Sequence, residues 1–259
     1  MTATPIRLLC LFLGLFHGVN AFAAYEEMGV EDNNEFGGRT VLFRKVEEGI
    51  SRGRNSYDSA GKIMREERTF SDDWANIHGT KSVTNEYLFD IKIKEERTFS
   101  ATYATTRLIA KTTTFFEQAT GTKVRVRNDF AEEYLGYNIT YYDLGVKQRM
   151  EWFYPKNELG YVQVNTFYDP SGKLIRTENL YTEKSIRFDG CSKSVFYSEG
   201  EKRLKREWFF TETYAKANNG AVRKVTVYFD NPNFPIAPKT YYFNDQDETV
   251  TPAQPFEED

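Results

Sequence analysis

Along most of this chain apolar residues alternate with polar ones, and Gly-containing polar segments interrupt the alternation at regular intervals. Alternation with a period of two predicts strands, since successive side chains point to opposite faces. The best-formed example is Thr166 to Ser198 (TFYDPSGKLIRTENLYTEKSIRFDGCSKSVFYS). It reads as a strand closing on an aromatic pair, a tight turn, a return strand ending on another aromatic, and a second turn leading back to an aromatic pair. Equivalent aromatics fall at Tyr57, Phe89, Phe115, Tyr142, Tyr168, Tyr197 and Phe229, 26 to 32 residues apart, which is the signature of a repeat with variable loops. Several are followed by turn formers: YDSAGK from Tyr57, YDLGVK from Tyr142 reading YYDLGVK, YDPSGK from Tyr168 and YSEGEK from Tyr197. Asp bonds its own backbone, Pro presets φ and Gly accepts positive φ, so each predicts a hairpin turn.

The returning strands end on Phe70, Phe99, Tyr154, Tyr181 and Phe210. Three residues before each stands a glutamate (Glu67, Glu96, Glu151, Glu178, Glu207), and five before each stands a base (Arg65, Lys94, Arg149, Arg176, Lys205). Parity puts these charges on one face as a ladder of opposite signs. The other face carries Met64, Ile93, Ile175 and Leu204, the tryptophans Trp152 and Trp208, and the terminal aromatics, and it reads as mainly core. Two units are near-copies, REERTFS from Arg65 and KEERTFS from Lys94. The third departs, with Arg127 where glutamate is expected. The fold class that follows is all-β: an antiparallel meander of about a dozen strands built from repeated β-hairpins, in a twisted or curled sheet. Helix signals are scarce, and Ser71 to Ile77 (SDDWANI) is the one short turn expected.

Domain boundaries follow from where this rhythm holds. Residues 24–39 are acidic and read as a flexible lead-in, 40–243 as a single β-repeat domain, and 244–259 as a disordered acidic tail. Asn231 to Pro238 (NPNFPIAP) reads as a long connection before a terminal edge strand at Thr240 to Phe243. Residues 1–23 have the form of a signal peptide: Arg7, the apolar run Leu8 to Phe16, and Ala21-Phe22-Ala23, with cleavage after Ala23 as the first choice and after Ala21 as the second. No later apolar run approaches the ~20 residues of a membrane-spanning helix. The expectation is an exported protein, periplasmic or extracellular.

Composition narrows the chemistry. Aromatics are 16% and charged residues 28% of the chain, a pairing suited to strands with one wet face. The 34 Lys and Arg against 38 Asp and Glu give a net charge of −4, which argues against a nucleic-acid partner. Beyond the signal segment there remain one cysteine, Cys191, and one histidine, His78, too few for an internal disulfide or the usual zinc ligand set. Glutamates that recur with the structural period look like a ladder rather than a glycosidase pair. Asn138-Ile139-Thr140 is a glycosylation sequon, and Trp74 lies outside the pattern.

At YDSAGKIMREERTF and YDPSGKLIRTENLY the chain resembles the YD repeat of RHS-type proteins and the related bacterial MORN-like hairpin repeats. Tyr57-Asp58, Gly61-Lys62 and Ile63 carry the likeness in one, and Tyr168-Asp169, Gly172-Lys173 and Leu174 in the other. The resemblance implies a β-hairpin array at the cell surface or envelope and brings no catalytic residues with it. The reading is therefore a non-enzymatic binding or structural surface without cofactor or metal, whose partner is an envelope or extracellular protein or glycan; the alternative is an outer-membrane β-barrel. Partner-binding candidates are Trp152, Trp208, Glu151, Glu178, Glu207, Arg149 and Arg176.

Overall fold

The computed structural model describes residues 25–132, 135–155, 160–229 and 236–253. Among the described residues seventeen strands form one antiparallel sheet. The first six are β1 (Tyr25–Asp32), β2 (Gly37–Lys45), β3 (Ile50–Asp58), β4 (Ile63–Phe70), β5 (Thr80–Leu88) and β6 (Ile91–Phe99). The middle six are β7 (Ile109–Phe116), β8 (Lys123–Phe130), β9 (Tyr137–Asp143), β10 (Val146–Phe153), β11 (Tyr161–Tyr168) and β12 (Leu174–Tyr181). The last five are β13 (Cys191–Glu199), β14 (Lys202–Phe210), β15 (Arg223–Phe229), β16 (Ile236–Phe243) and β17 (Thr249–Val250). Each strand pairs with the next in sequence, from β1–β2 through β16–β17, so the topology is the expected meander. The sheet is not closed into a barrel.

Tight turns line one end of the sheet. Asp58 Oδ1 accepts the backbone N–H groups of Ala60 and Lys62, and Asp169 Oδ1 accepts those of Ser171 and Lys173. Gly61 and Gly172 take the left-handed conformation that such a turn needs (φ 80 and φ 82). The YD-type segments are thus hairpin turns by the mechanism that their residues predict. The Ser171 hydroxyl and these amides hold the Asp169 carboxyl below the usual carboxylate range.

Short helices line the other end: α1 (Asp72–His78), α2 (Ala101–Arg107), α3 (Glu183–Asp189) and α4 (Glu212–Ala217). Only the first is anticipated from Ser71 to Ile77. All four start in the same way: a Ser or Thr follows the strand's last aromatic, and its hydroxyl accepts the N–H three residues on. The pairs are Ser71 with Trp74, Ser100 with Tyr103, Thr182 with Ser185 and Thr211 with Tyr214. The N–H of each capping residue then bonds the carbonyl that ends the preceding turn or helix. Ser71 reaches Gly49 at 2.8 Å, Ser100 reaches Gly79 at 2.8 Å and Thr211 reaches Gly190 at 2.8 Å. Trp74 has a place in this scheme: its ring stacks on Phe70 and His78, with centroids 6.3 and 4.0 Å away, and lies over Gly49.

Two expectations about layering are corrected. Substantial packing runs between adjacent strands and between the short helices and their neighbours, and among the described residues no second layer covers either face. Most strand positions on both faces are therefore half-buried, and neither face is a core. Among the described residues a buried hydrophobic cluster, Cys191, Trp208 and Phe210 with Tyr181, Tyr214 and Tyr242 against it, is local to β12–β16 at the helix end. The parity argument also slips. Near each tight turn the register shifts by one residue, as between Ser56 and Tyr57, Glu86 and Tyr87, and Phe167 and Tyr168. The residues skipped are Met64, Ile93 and Ile175, and in the β13–β14 hairpin Leu204, all of which strict alternation places on the apolar face. Ile175 is 42% exposed and Leu204 37%.

The ends differ from expectation too. Tyr25 to Asp32 is not a loose lead-in: it is strand β1, exposed almost throughout and paired with β2. The tail does not dissolve at 244 either. Asn244 closes a turn onto Glu248, and Thr249–Val250 pairs with Phe243 and Tyr242. Ile236 to Pro238 belongs to β16 rather than to a connection. Residues 1–23, expected to be a signal peptide, residues 231–235 and the last six residues lie outside the described residues.

Candidate functional site

Strand alternation divides the seven partner-binding candidates between the faces. Arg149, Glu151, Arg176, Glu178 and Glu207 lie on one, the ion-pair face, and Trp152 and Trp208 on the other, the tryptophan face. The expected ladder of opposite charges is present. Arg65 meets Glu67 at 3.1 Å, Arg149 meets Glu151 at 3.0 Å, Arg176 meets Glu178 at 3.4 Å and Lys205 meets Glu207 at 3.0 Å. The aberrant unit restores the pair one step along, with Arg127 on Asp129 at 2.7 Å. In the second near-copy Lys94 pairs with Glu86 and Glu96 with Lys111.

Sequence reasoning does not foresee what stands between these bases. In register across the strands run Phe115, Arg125, Tyr141, Arg149, Phe167, Arg176, Tyr197 and Lys205, so that cation and aromatic alternate. Arg125 lies 4.0 Å from the Phe115 ring centre, Arg149 4.5 Å from Tyr141, Arg176 4.1 Å from Phe167 and Lys205 4.3 Å from Tyr197. Stacking of this kind contributes ~0.5–1 kcal/mol per pair at exposed sites. A sheet with no apolar layer beneath it is thus held sideways, by ladders that use both the charge and the ring. Two of the tyrosines also donate to the ladder's carboxylates, Tyr141 to Glu151 at 2.9 Å and Tyr197 to Glu207 at 3.0 Å. Burial first, then the Glu207 carboxylate, push the Tyr197 phenol up, so it stays a donor.

Glu207 is only 6% exposed, and Tyr197, Lys205 and Arg223 surround it. Its carboxylate is committed to the sheet. Trp208 is 1% exposed, lies 4.1 Å from the Arg206 guanidinium and 4.5 Å from the Lys224 ammonium, and fills the local core. Neither residue can meet a partner without unfolding the strands around it. Trp152 is half-buried and stacks on Phe130 with centroids 5.2 Å apart. Arg149, Glu151, Arg176 and Glu178 remain partly open.

On the tryptophan face of β4–β6 the charges are again paired. Glu66 accepts from Asn85 and from the Tyr87 hydroxyl, and Glu95 accepts from Arg97 and Lys92. Burial works to raise the Glu95 pKa, and the bonds from Arg97 and Lys92 more than offset it, leaving the carboxyl below its usual range. The sequon asparagine, Asn138, is 5% exposed and accepts a bond from Asn128, so the folded strand does not present it.

His78 and Cys191, which a Cys-His nucleophilic pair would need side by side, are far apart. His78 ends α1, exposed, beside β5; Cys191 opens β13, eight strands away. The Cys191 thiol is 2% exposed, and burial pushes it up to about 11. Since the thiolate is the reactive form, the native protein is expected to resist iodoacetamide at pH 8 and to react only on unfolding. Rapid stoichiometric labelling of the folded chain, read by mass spectrometry, would contradict this placement. The same burial keeps the Cys191 sulfur away from the surface, where a disulfide between chains would form.

Among the described residues no group of three or more His, Cys, Asp or Glu is arranged to hold a metal ion, and no helix is long and apolar enough to cross a membrane. No protein-family model matches the chain, and no curated protein matches its sequence.

Proposed function

We propose that this protein is an exported, non-enzymatic β-repeat scaffold that presents a binding or structural surface in the cell envelope or outside the cell. The observation that carries the reading is the uninterrupted cation–aromatic ladder on an open sheet whose two faces both reach solvent. Adding a repeat to such an array lengthens the surface without altering its chemistry, which is the usual advantage of repeat architecture. Export rests on Arg7, the apolar run from Leu8 to Phe16 and the small residues Ala21 and Ala23. The YD-repeat and MORN-like likeness points to the same location.

Cross-linking in the native envelope, followed by identification of what co-purifies, tests the reading. A specific partner, lost when Arg149 and Arg176 are both replaced by Ala, supports it. Recovery of no partner at all, or turnover of a substrate in a broad hydrolase panel that a single substitution abolishes, would overturn it.

A further inference from the structure

The two near-copies, REERTFS from Arg65 and KEERTFS from Lys94, run along β4 and β6 with β5 between them. On the tryptophan face they set the same side chains on either side of β5: Arg68 and Arg97 flank Val83, and Glu66 and Glu95 flank Asn85. The two arginines stand two strands apart, about 9.6 Å at the usual strand separation. The short valine between them leaves a hollow. It is a cleft of about 410 Å³, bounded at the helix end by Phe70, Trp74, His78 and Thr80.

Three properties of this cleft select what fits it. Val83 and Phe70, with Trp74 beside Phe70, supply an apolar surface, and among the described residues no cation lies over either ring. The charges at its rim are paired: Arg97 meets Glu95 at 2.6 Å and Arg68 meets Glu66 at 3.6 Å. An anion therefore finds no free cation there and faces two carboxylates. Finally, hydrogen-bonding capacity of both senses is unused. Asn85 is 8% exposed and donates to Glu66, while its Oδ1 and the buried Arg68 Nε have no partner. The Thr80 hydroxyl and the His78 imidazole make no hydrogen bond among the described residues. A buried acceptor left unpaired costs stability that a ligand donor restores.

We propose that this cleft binds one neutral sugar residue of a glycan. A pyranose combines what the three properties ask for. Its hydroxyls donate to Asn85 and Glu95 and accept from Arg68, Arg97 and Thr80, and its C–H face packs on Val83 and Phe70. A purely apolar ligand would leave the polar rim unpaired, and an anionic sugar would meet Glu66 and Glu95. The near-copies thereby gain a use: two identical walls make one site.

This inference rests on the binding-surface reading and names a glycan as the partner and the cleft as its site. The test is isothermal titration of the full chain with maltopentaose, cellopentaose, chitopentaose and mannopentaose, with oligogalacturonate of equal length as the charged comparison. Saturable binding of at least one neutral pentasaccharide is expected, with the same affinity at low and at physiological salt. Val83→Trp fills the hollow and should abolish binding. Thr80→Val should weaken it about fivefold, the usual effect of losing one hydrogen bond. Thr84→Trp, on the same strand but the opposite face, is the control and leaves affinity unchanged. Thermal unfolding checks that each variant folds, and Thr80→Val carries the test should Val83→Trp not fold. Binding of no neutral pentasaccharide, tighter binding of oligogalacturonate, full affinity in folded Val83→Trp or in Thr80→Val, or an equal loss in Thr84→Trp would overturn the proposal. Should no sugar bind while native cross-linking still recovers a partner lost with Arg149 and Arg176, the cleft assignment falls and the scaffold reading stands. Failure of both removes the two together.

Discussion

Replacing Gly79 by Ala is expected to destabilise the fold by about 2–4 kcal/mol, the sum of a left-handed backbone penalty and a steric one. Gly79 ends α1 with φ 81 and ψ −21, and a Cβ built there would lie 2.4 Å from the Tyr103 ring of the next helix. Gly49 under Trp74 and Gly190 under Tyr214 repeat the arrangement, at 2.3 and 2.6 Å. In these three units a glycine therefore makes room for the aromatic of the following helix, which is how they lock together at the helix end. Leu108 separates the two penalties, because it takes the same conformation (φ 61) with a side chain that is 40% exposed. The left-handed backbone alone is thus tolerated, and the ring contact should supply the larger share at Gly79. In denaturant unfolding, Gly79→Ala combined with Tyr103→Ala should recover part of the loss. No recovery, or a loss below about 0.5 kcal/mol for the single variant, would show that the ring is free to move aside.

Trp208→Ala is expected to cost about 3–5 kcal/mol, the range for deleting a buried large aromatic. Trp152 occupies the same repeat position but is half-buried, so Trp152→Ala should cost clearly less, although a repeat-level comparison alone makes the two equivalent. Because each strand packs mainly on its neighbours, the damage should stay local, with faster amide exchange in β13–β15 before β4–β6 is affected. Equal losses at the two tryptophans, or uniform loss of protection along the whole sheet, would mean that packing reaches further than between adjacent strands.

Much of the architecture is legible in the sequence. The repeat of Tyr57, Tyr142 and Tyr168, the Asp-x-x-Gly-Lys turns and the pairing of Arg149, Arg176 and Lys205 with their glutamates all recur in three dimensions where the spacing places them. Three aromatic anchors depart from the scheme: Phe89 sits in a turn at φ 51, 68% exposed, with Tyr87 near the end of β5 in its place, and Phe115 and Tyr197 fall in register with Tyr141 and Phe167 rather than with Tyr142 and Tyr168. Of the four α-helices among the described residues, α2, α3 and α4 leave no periodic signal in the sequence, because seven residues or fewer are too short for a helical hydrophobic period to declare itself. For α2 and α4 a signal is nonetheless present as an aromatic, a Ser or Thr, and a second aromatic three residues on, Phe99-Ser100 with Tyr103 and Phe210-Thr211 with Tyr214; α3 keeps the first two, Tyr181-Thr182, with Ser185 in the third place.

The sequence by itself determined which residues become strands, where the chain turns back, and, at Arg65, Arg149, Arg176 and Lys205, which acid lies beside the base, because these are local matters of alternation, turn chemistry and spacing along one strand. Only the tertiary structure decided that the face carrying Trp152 and Trp208 is not a core, that Glu207 is buried while Leu204 is exposed, and that Lys123 and Lys147 join a row of rings. Alternation tells which side chains share a face and is silent on what covers that face. A skipped residue such as Met64 or Ile175 is defined only against the partner strand, so the register that aligns lysine with tyrosine exists only once the strands have paired.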